Sequence, residues 1–337
     1  MMALISLISL SSKAISCDLR LKRLGKAVLG LRSSQRIGAR ASGLRRPERN
    51  LDHRATFAPS TASVIITQLT RGGNRITQSF KIVDETDEYI VVDKAPFVLM
   101  HPTKPNGAAT LWKELRELLA FEIANDGQVS IVNRLDRETS GLVLVAKTSA
   151  AARKFGIRMQ QRRVKKEYLA IVWGWPEWEI KVVDAPLDRQ GKYRESAIWL
   201  KQTIHPAGGP AQTEFHVEQR FIKSGSSGDD KFAFIQAIPN TGRTHQIRVH
   251  LASIGCPIVG DKIYGPDEQL YLRFIQTGWT PELERQLLLP RHALHATKLA
   301  IEGEGEWSSP LPVDLAKFLE GQPPCRLSYD AAERVPP

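Results

Sequence analysis

Ile131-Val132-Asn133-Arg134-Leu135-Asp136-Arg137-Glu138-Thr139-Ser140-Gly141-Leu142-Val143-Leu144-Val145-Ala146 sets two apolar flanks around one compact polar loop. The run Leu142–Ala146 is short, continuous and rich in β-formers, the pattern of a strand covered on both faces. Between the flanks stand Arg134, Asp136, Arg137 and Glu138. Loops held by rigid strands are where reacting groups are carried. Positive neighbours favour the charged form of a carboxylate, so Asp136 is expected to be ionised. An ionised carboxylate serves as nucleophile or base. Taken alone, an Asp after a strand is ordinarily a turn or cap residue, and Thr139-Ser140-Gly141 is ordinary turn chemistry.

Working outward, Ser79–Val83 and Tyr89–Val92 read as two short strands broken by a polar turn. Thr110 is an N-cap for a helix predicted to run to about Asn125. Ser149 caps a second helix to about Gln161, and Val164–Trp173 is a strand of β-branched and aromatic residues. Residues 188–226 are mixed, with a Gly-Gly-Pro turn at 208–210, and a polar loop is predicted over Ser224–Asp230. Phe232–Ile238 alternates as a strand. Thr244–Ile254 reads as a helix stopped at Gly255, and Thr280-Pro281 opens a short one that ends by Pro290. Neither a G-x-G-x-x-G loop nor a P-loop occurs, and strands and helices do not alternate regularly. The predicted class is therefore α+β, with a mixed, mainly antiparallel sheet and flanking helices.

The chain has 337 residues, 42% hydrophobic and 25% charged, the balance of an ordinary globular protein. No apolar run approaches the roughly 20 residues of a membrane-spanning helix. The net charge of +11 is unevenly spread. Residues 1–50 hold 11 of the 47 Lys and Arg against only Asp18 and Glu48, leaving 36 bases facing 34 acids in the rest. Nucleic-acid binding by the body must therefore come from local patches. The first fifty residues, with eight serines, have the composition of either a basic disordered tail or an organelle targeting segment. Cys17, Cys256 and Cys325 form no C-x-x-C pair, and His245/His250 and His292/His295 lack the i, i+4 ligand spacing. No metal is expected, and a reducing compartment is.

Four blocks in order carry a resemblance. Asn133-Arg134-Leu135-Asp136 with Thr139-Ser140-Gly141-Leu142 is similar to H/N-R-L-D-x-x-T-S-G-L. Lys166-Glu167-Tyr168-Leu169-Ala170-Ile171-Val172-Trp173-Gly174 follows K-x-Y-x-A-x-V-x-G. Thr241-Gly242-Arg243-Thr244-His245-Gln246-Ile247-Arg248-Val249-His250 follows T-G-R-T-H-Q-I-R-V-H, and Gly260-Asp261-Lys262-Ile263-Tyr264-Gly265 follows G-D-x-x-Y-G. Leu294-His295-Ala296 and Pro310-Leu311-Pro312 also fit. Together, across roughly residues 80–320, they resemble the RluA-type pseudouridine synthases. Asn133 stands where His is common, and Lys94-Ala95-Pro96-Phe97 stands where the family has K-P-x-G. No S4-type RNA-binding module is expected in the N-terminal residues of this sequence.

The resemblance implies isomerisation of uridine to pseudouridine in RNA without a cofactor or metal. It makes Asp136 the essential carboxylate, acting either by covalent attack or by proton abstraction. Tyr168 would stack on the uracil and Arg248 would pair with Asp136. Ile247 would line the base pocket, and Arg134 would fill the space of the extruded nucleotide. Without it, Tyr168 would be a core tyrosine, Arg248 a solvated helix charge, and His245 and His250 structural donors. Asp261 and Tyr264 are expected to fix a loop. Seven bases crowd residues 153–166, and Arg162, Arg163, Lys165 and Lys166, just before Tyr168, are the expected phosphate contacts. Trp173, Trp175 and Trp178 are assigned mainly to packing.

The expected organisation is a basic segment over 1–60, a catalytic domain over 75–322 and a tail over 323–337. The expected partner is RNA, ribosomal (of the large subunit) or transfer, acted on by a cytoplasmic monomer, or in an organelle if residues 1–50 are a targeting segment. The competing reading is a non-catalytic RNA-binding or ribosome-assembly factor on the same scaffold. A glycoside hydrolase is a weaker third, because no second carboxylate motif accompanies Asp136.

Overall fold

The computed structural model describes residues 79–103, 109–225 and 228–320. The expectations for residues 1–60 and 323–337, with Cys17 and Cys325, lie outside them. In chain order the elements are β1 (Phe80–Glu85), β2 (Tyr89–Lys94), α1 (Leu111–Leu118), α2 (Ala120–Ala124), β3 (Ser130–Ile131), β4 (Ser140–Ala146), α3 (Ser149–Gln160), β5 (Val164–Trp173), β6 (Ile180–Asp184), β7 (Leu187–Arg189), β8 (Gln202–Ile204), β9 (Gln212–Gly225) and β10 (Gly228–Pro239). There follow α4 (Gln246–Ser253), α5 (Gln269–Thr277), α6 (Pro281–Leu287), β11 (Leu294–Ile301), β12 (Gly305–Ser308) and α7 (Val313–Leu319).

The main sheet runs β1-β2-β4-β11-β5-β10-β9-β6, with β3 on β4 and β12 on β11, and β7-β8 forms a separate ribbon. Its pairings are antiparallel except β4 with β11, where Ser140 faces His295 and Gly141 faces Ala296. The mixed, mainly antiparallel α+β expectation holds. β4 is buried along its whole length. Val143 and Val145 join the core that includes Leu111 and Leu115 of α1, while Leu142 and Leu144 join Phe155 of α3 on the other face. Two-sided burial is why the strand reads as an unbroken apolar run.

Several boundaries differ from the sequence reading. The helix predicted to Asn125 breaks at Leu119 into α1 and α2. The second cap is Thr148, whose side chain accepts from the Ala151 N–H, one residue before the predicted Ser149. The predicted loop at Ser224–Asp230 is the tip of a long hairpin, in which β9 and β10 pair out to Gly225 and Gly228. Cross-strand pairing there overrides polar composition. α4 begins at Gln246 rather than Thr244, because His245 takes a left-handed conformation (φ 57°). Gln246 turns its side chain back to satisfy the start of the helix, its Oε1 accepting from the Arg243 N–H and the Thr241 hydroxyl.

Candidate active site

Gly141 explains why the central parallel pair can form. A Cβ at that position would lie 2.2 Å from the Ala296 carbonyl oxygen, and its φ is +112°. The two residues before it are buried pins rather than turn chemistry. Thr139 Oγ1 is 2.7 Å from His292 Nε2, and Ser140 Oγ is 3.0 Å from His295 Nδ1. Asn133 pins the other side of the loop: its Nδ2 donates to the Leu142 carbonyl and its Oδ1 accepts from the Leu144 N–H. The loop 133–139 is thus fastened at both ends to β4 and to the lead-in of β11.

Asp136 projects from this loop into a cavity of about 570 Å³. That lies within the roughly 300–1,000 Å³ of small-molecule sites. Of the residues singled out in the sequence, Arg134, Asp136, Lys166, Tyr168, Ile247 and Arg248 line it together. Arg162, Arg163 and Lys165 do not. Arg163 instead forks onto Glu302, Nε to Oε2 at 2.8 Å and Nη2 to Oε1 at 3.0 Å. Lys154 pairs with Glu88 and Glu304, and Arg158 with Glu304. The strong basic patch of the sequence is therefore partly neutralised by acids from the β11–β12 hairpin and from the β1–β2 turn, remote in sequence. Trp173 packs on Phe232 and Trp178 near Phe215, as expected of core aromatics.

The charge facing Asp136 is Arg248, whose Nη1 donates to Asp136 Oδ2 at 2.8 Å. The local arginines take no part in this pair: Arg137 Nε donates to the Phe97 carbonyl, and Arg134 is exposed. Arg248, 5% exposed, is not the solvated helix charge its sequence setting suggests. Its Nε and Nη2 donate to Asp261 Oδ2 and Oδ1 at 2.6 and 2.8 Å. Asp261 Oδ1 also accepts from the Ile263 and Tyr264 N–H groups, so it fixes a loop and an arginine together.

Burial works to raise the Asp136 carboxyl, but His245 and Arg248 beside it bring the balance below the usual carboxylate range. The two neighbours are not equivalent. Burial and Arg248 push His245 down to about 4, so it is neutral at pH 7. The lasting charge that holds Asp136 ionised is therefore Arg248. Burial, then the negative charge of Asp136, raises the Tyr168 phenol, which stays protonated at neutral pH.

His245, a residue the sequence reading set aside as structural, belongs to this cavity. Tyr264 OH accepts from the Gln202 N–H at 2.8 Å and lies 2.8 Å from His245 Nδ1. In the tautomer where the phenol donates to that Nδ1, His245 carries its own proton on Nε2, which sits 3.8 Å from Asp136 Oδ2. The signal for Asp261 and Tyr264 was the G-D-x-x-Y-G block; their link to Arg248 and His245 exists only in the fold.

A second buried layer supports the loop. Lys262 Nζ donates to both Glu138 oxygens and to the Pro290 carbonyl. Arg291 forks onto Asp314, and its Nη1 donates to the Glu138, His292 and Leu294 carbonyls. Lys94, fully buried, donates to the Ala95, Val98 and Arg137 carbonyls, and burial depresses it to about 7. Among the described residues no cluster of three His, Cys, Asp or Glu is arranged to hold a metal. None of their helices is long and apolar enough to cross a membrane.

Residues 88–253 match the RNA pseudouridylate synthase family. The chain is 37% identical over 246 residues to ribosomal large subunit pseudouridine synthase D of Nitrosomonas europaea, covering 71% of this chain and 64% of that protein, just under two thirds of its length. It is 34% identical over 250 residues to the proteins of the same name from Pasteurella multocida and Pseudomonas aeruginosa, covering 71% of this chain and 69% and 70% of theirs. Among solved structures, human RNA pseudouridylate synthase domain containing 4 superposes with a TM-score of 0.54 at 23% identity, over 71% of this chain and 91% of that one. Human RNA pseudouridylate synthase domain containing 1 superposes with 0.51 at 25%, over 75% and 99%. With its ordered motifs, its mixed sheet and these relatives, the chain belongs to the RluA-type branch of the RNA pseudouridylate synthase family.

Proposed function

We propose that this protein converts uridine to pseudouridine in large-subunit ribosomal RNA, with Asp136, Tyr168 and Arg248 as the catalytic group. The observation that carries the reading is the 2.8 Å pair of Asp136 and Arg248 on the wall of a cavity that Tyr168 also lines. Breaking the bond between C1′ and N1 of uridine develops positive charge on the ribose, and an ionised carboxylate stabilises it. Attack on C1′ and removal of the C2′ proton both require that ionised state. The departing uracil is anionic until C5 bonds to C1′, so the donors lining the cavity favour it. Tyr168 holds the detached ring against escape while it turns, and its phenol has a proton to offer. Loss of the C5 proton completes the isomerisation, with no net gain or loss of atoms and no cofactor.

Ile247 supplies apolar contact to the base and Arg134 occupies the gap left by the extruded nucleotide. Lys166 is the inner phosphate contact. Arg162 and Lys165 serve farther out, and Arg163 joins them only by leaving Glu302. Residues 75–322 make up the catalytic domain, residues 1–60 are a basic tail or targeting segment, and residues 323–337 are a C-terminal tail. The protein acts as a cytoplasmic monomer, and a fluorescent fusion tests the compartment.

The test is to treat unmodified large-subunit ribosomal RNA with the purified chain, and to map pseudouridines in cells with and without the gene. A site lost in the deletion strain and formed in vitro is expected. No lost site, with RNA binding intact, would replace this reading with that of a non-catalytic binding factor. A site lost from transfer RNA alone would correct the substrate.

A further inference from the structure

Trp199 stands out in the segment between β7 and β8. It is 72% exposed, and the next residue, Leu200, lines the mouth of the cavity. Exposure of a large aromatic is unremarked on a slack loop, but this segment is anchored. Leu187 and Ile198 are buried in one cluster with Val249 of α4 and with Ile263 and Tyr264. The Gln202 N–H is bonded to the Tyr264 hydroxyl, which in turn holds His245. The backbone that carries the indole is thus anchored beside the catalytic group.

One face of the ring is covered by Arg189, with Cζ 3.7 Å from the ring centroid. The Arg189 Nε is buried and has no hydrogen-bond partner. The charge that this guanidinium brings beside the indole is therefore not consumed at Nε by an acid. Of the other bases in residues 187–205, Lys192 pairs with Asp188 and Lys201 with Glu268, while Arg194 donates to the Gln190 side chain and adds a second positive charge to the segment. An exposed aromatic on an anchored segment, backed by a cation and next to a cavity-lining residue, fits one ligand class best: an unpaired nucleobase on an anionic backbone.

We propose that Trp199, braced by Arg189, is a stacking platform for a single-stranded nucleotide flanking the uridine in the cavity. This deepens the proposed function and rests on it for the identity of the RNA. The platform takes any base, because every base offers a π-face, so it contributes affinity and register rather than base identity. A loop or bulge target, whose neighbours can be unstacked, suits it better than a continuous duplex.

The test compares the full chain with Trp199→Ala and Trp199→Phe. Binding is read with a fluorescein-labelled 12-nucleotide single-stranded RNA, and activity with unmodified large-subunit ribosomal RNA. Trp199→Ala is expected to weaken Kd about 5- to 100-fold and to raise KM similarly, with kcat within about twofold of the parent. Trp199→Phe is expected to retain most of the affinity. Unchanged Kd and KM in Trp199→Ala would overturn the inference, as would a loss confined to kcat. If the parent chain makes no pseudouridine while Trp199→Ala still loses RNA affinity, the platform stands and the assigned reaction falls.

Discussion

Arg248 and Asp261 form a two-point ion pair, Nε to Oδ2 at 2.6 Å and Nη2 to Oδ1 at 2.8 Å, that leaves Nη1 of the arginine directed at Asp136. One buried guanidinium therefore serves two carboxylates of different exposure: Asp261 is sealed, whereas the Asp136 side chain is 26% exposed. The sealed acid orients the arginine, and the arginine keeps the open acid ionised.

The two carboxylates should separate on substitution. Asp136→Asn is expected to reduce pseudouridine formation on the order of 10³-fold or more, with stability within about 2 kcal/mol of the parent. Asp261→Asn should cost about 3–5 kcal/mol, because it strips a buried arginine of its main partner, and activity should fall with the fold. Urea denaturation beside a single-turnover assay distinguishes them. Full activity in Asp136→Asn would remove Asp136 from the chemistry.

Tyr264→Phe should affect both stability and the site. The Gln202 N–H loses its acceptor, at about 1–3 kcal/mol, and His245 Nδ1 loses the hydroxyl that orients the ring. Turnover should drop about tenfold. His245→Gln, whose amide can still donate toward Asp136, should retain more activity than His245→Ala. Equal activity of the two would show that a hydrogen-bond donor at this position is not needed.

Acid should destabilise the protein through its buried imidazoles as well as its carboxylates. His245 is depressed to about 4, and burial followed by Arg248 pushes His292 well below its ordinary value. Between the ordinary value near 6.5 and these folded values the unfolded chain binds more protons, so stability falls as pH drops through that window. At pH 5 the loss is up to about 2 kcal/mol for His245, and His292 adds to it in the same direction. Thermal melts at pH 7 and pH 5 measure it, and His245→Gln should flatten the dependence.

Backbone strain offers a contrast of sign. Phe97 sits at φ 68° and is 43% exposed, at the place where the family pattern has glycine. Phe97→Gly should stabilise by up to about 1 kcal/mol, since a side chain in the left-handed region costs about that much. Gly141→Ala should destabilise by about 3 kcal/mol or more, because the added carbon meets the Ala296 backbone and not a movable side chain. Equilibrium unfolding of both variants checks the pair.

Much was legible from local pattern alone. The strand Val164–Trp173, the cap at Thr280 and the loop around Asp136 follow from composition and period over a few residues, which nearest neighbours decide. The blocks around Asp136, Tyr168 and Arg248 could be matched because each is contiguous. What the chain order could not convey is which charges meet. Arg134 and Arg137 lie within two residues of Asp136 in sequence, yet Arg248, 112 residues on, holds it. Arg163 looked like an unpaired cation until β12 and its turn brought Glu302 to it. Ion pairs, tautomers and an anchored exposed tryptophan depend on distances of a few ångströms between remote segments. Those distances are settled only when β4 and β11 come side by side at Gly141 and draw the separate blocks around one cavity.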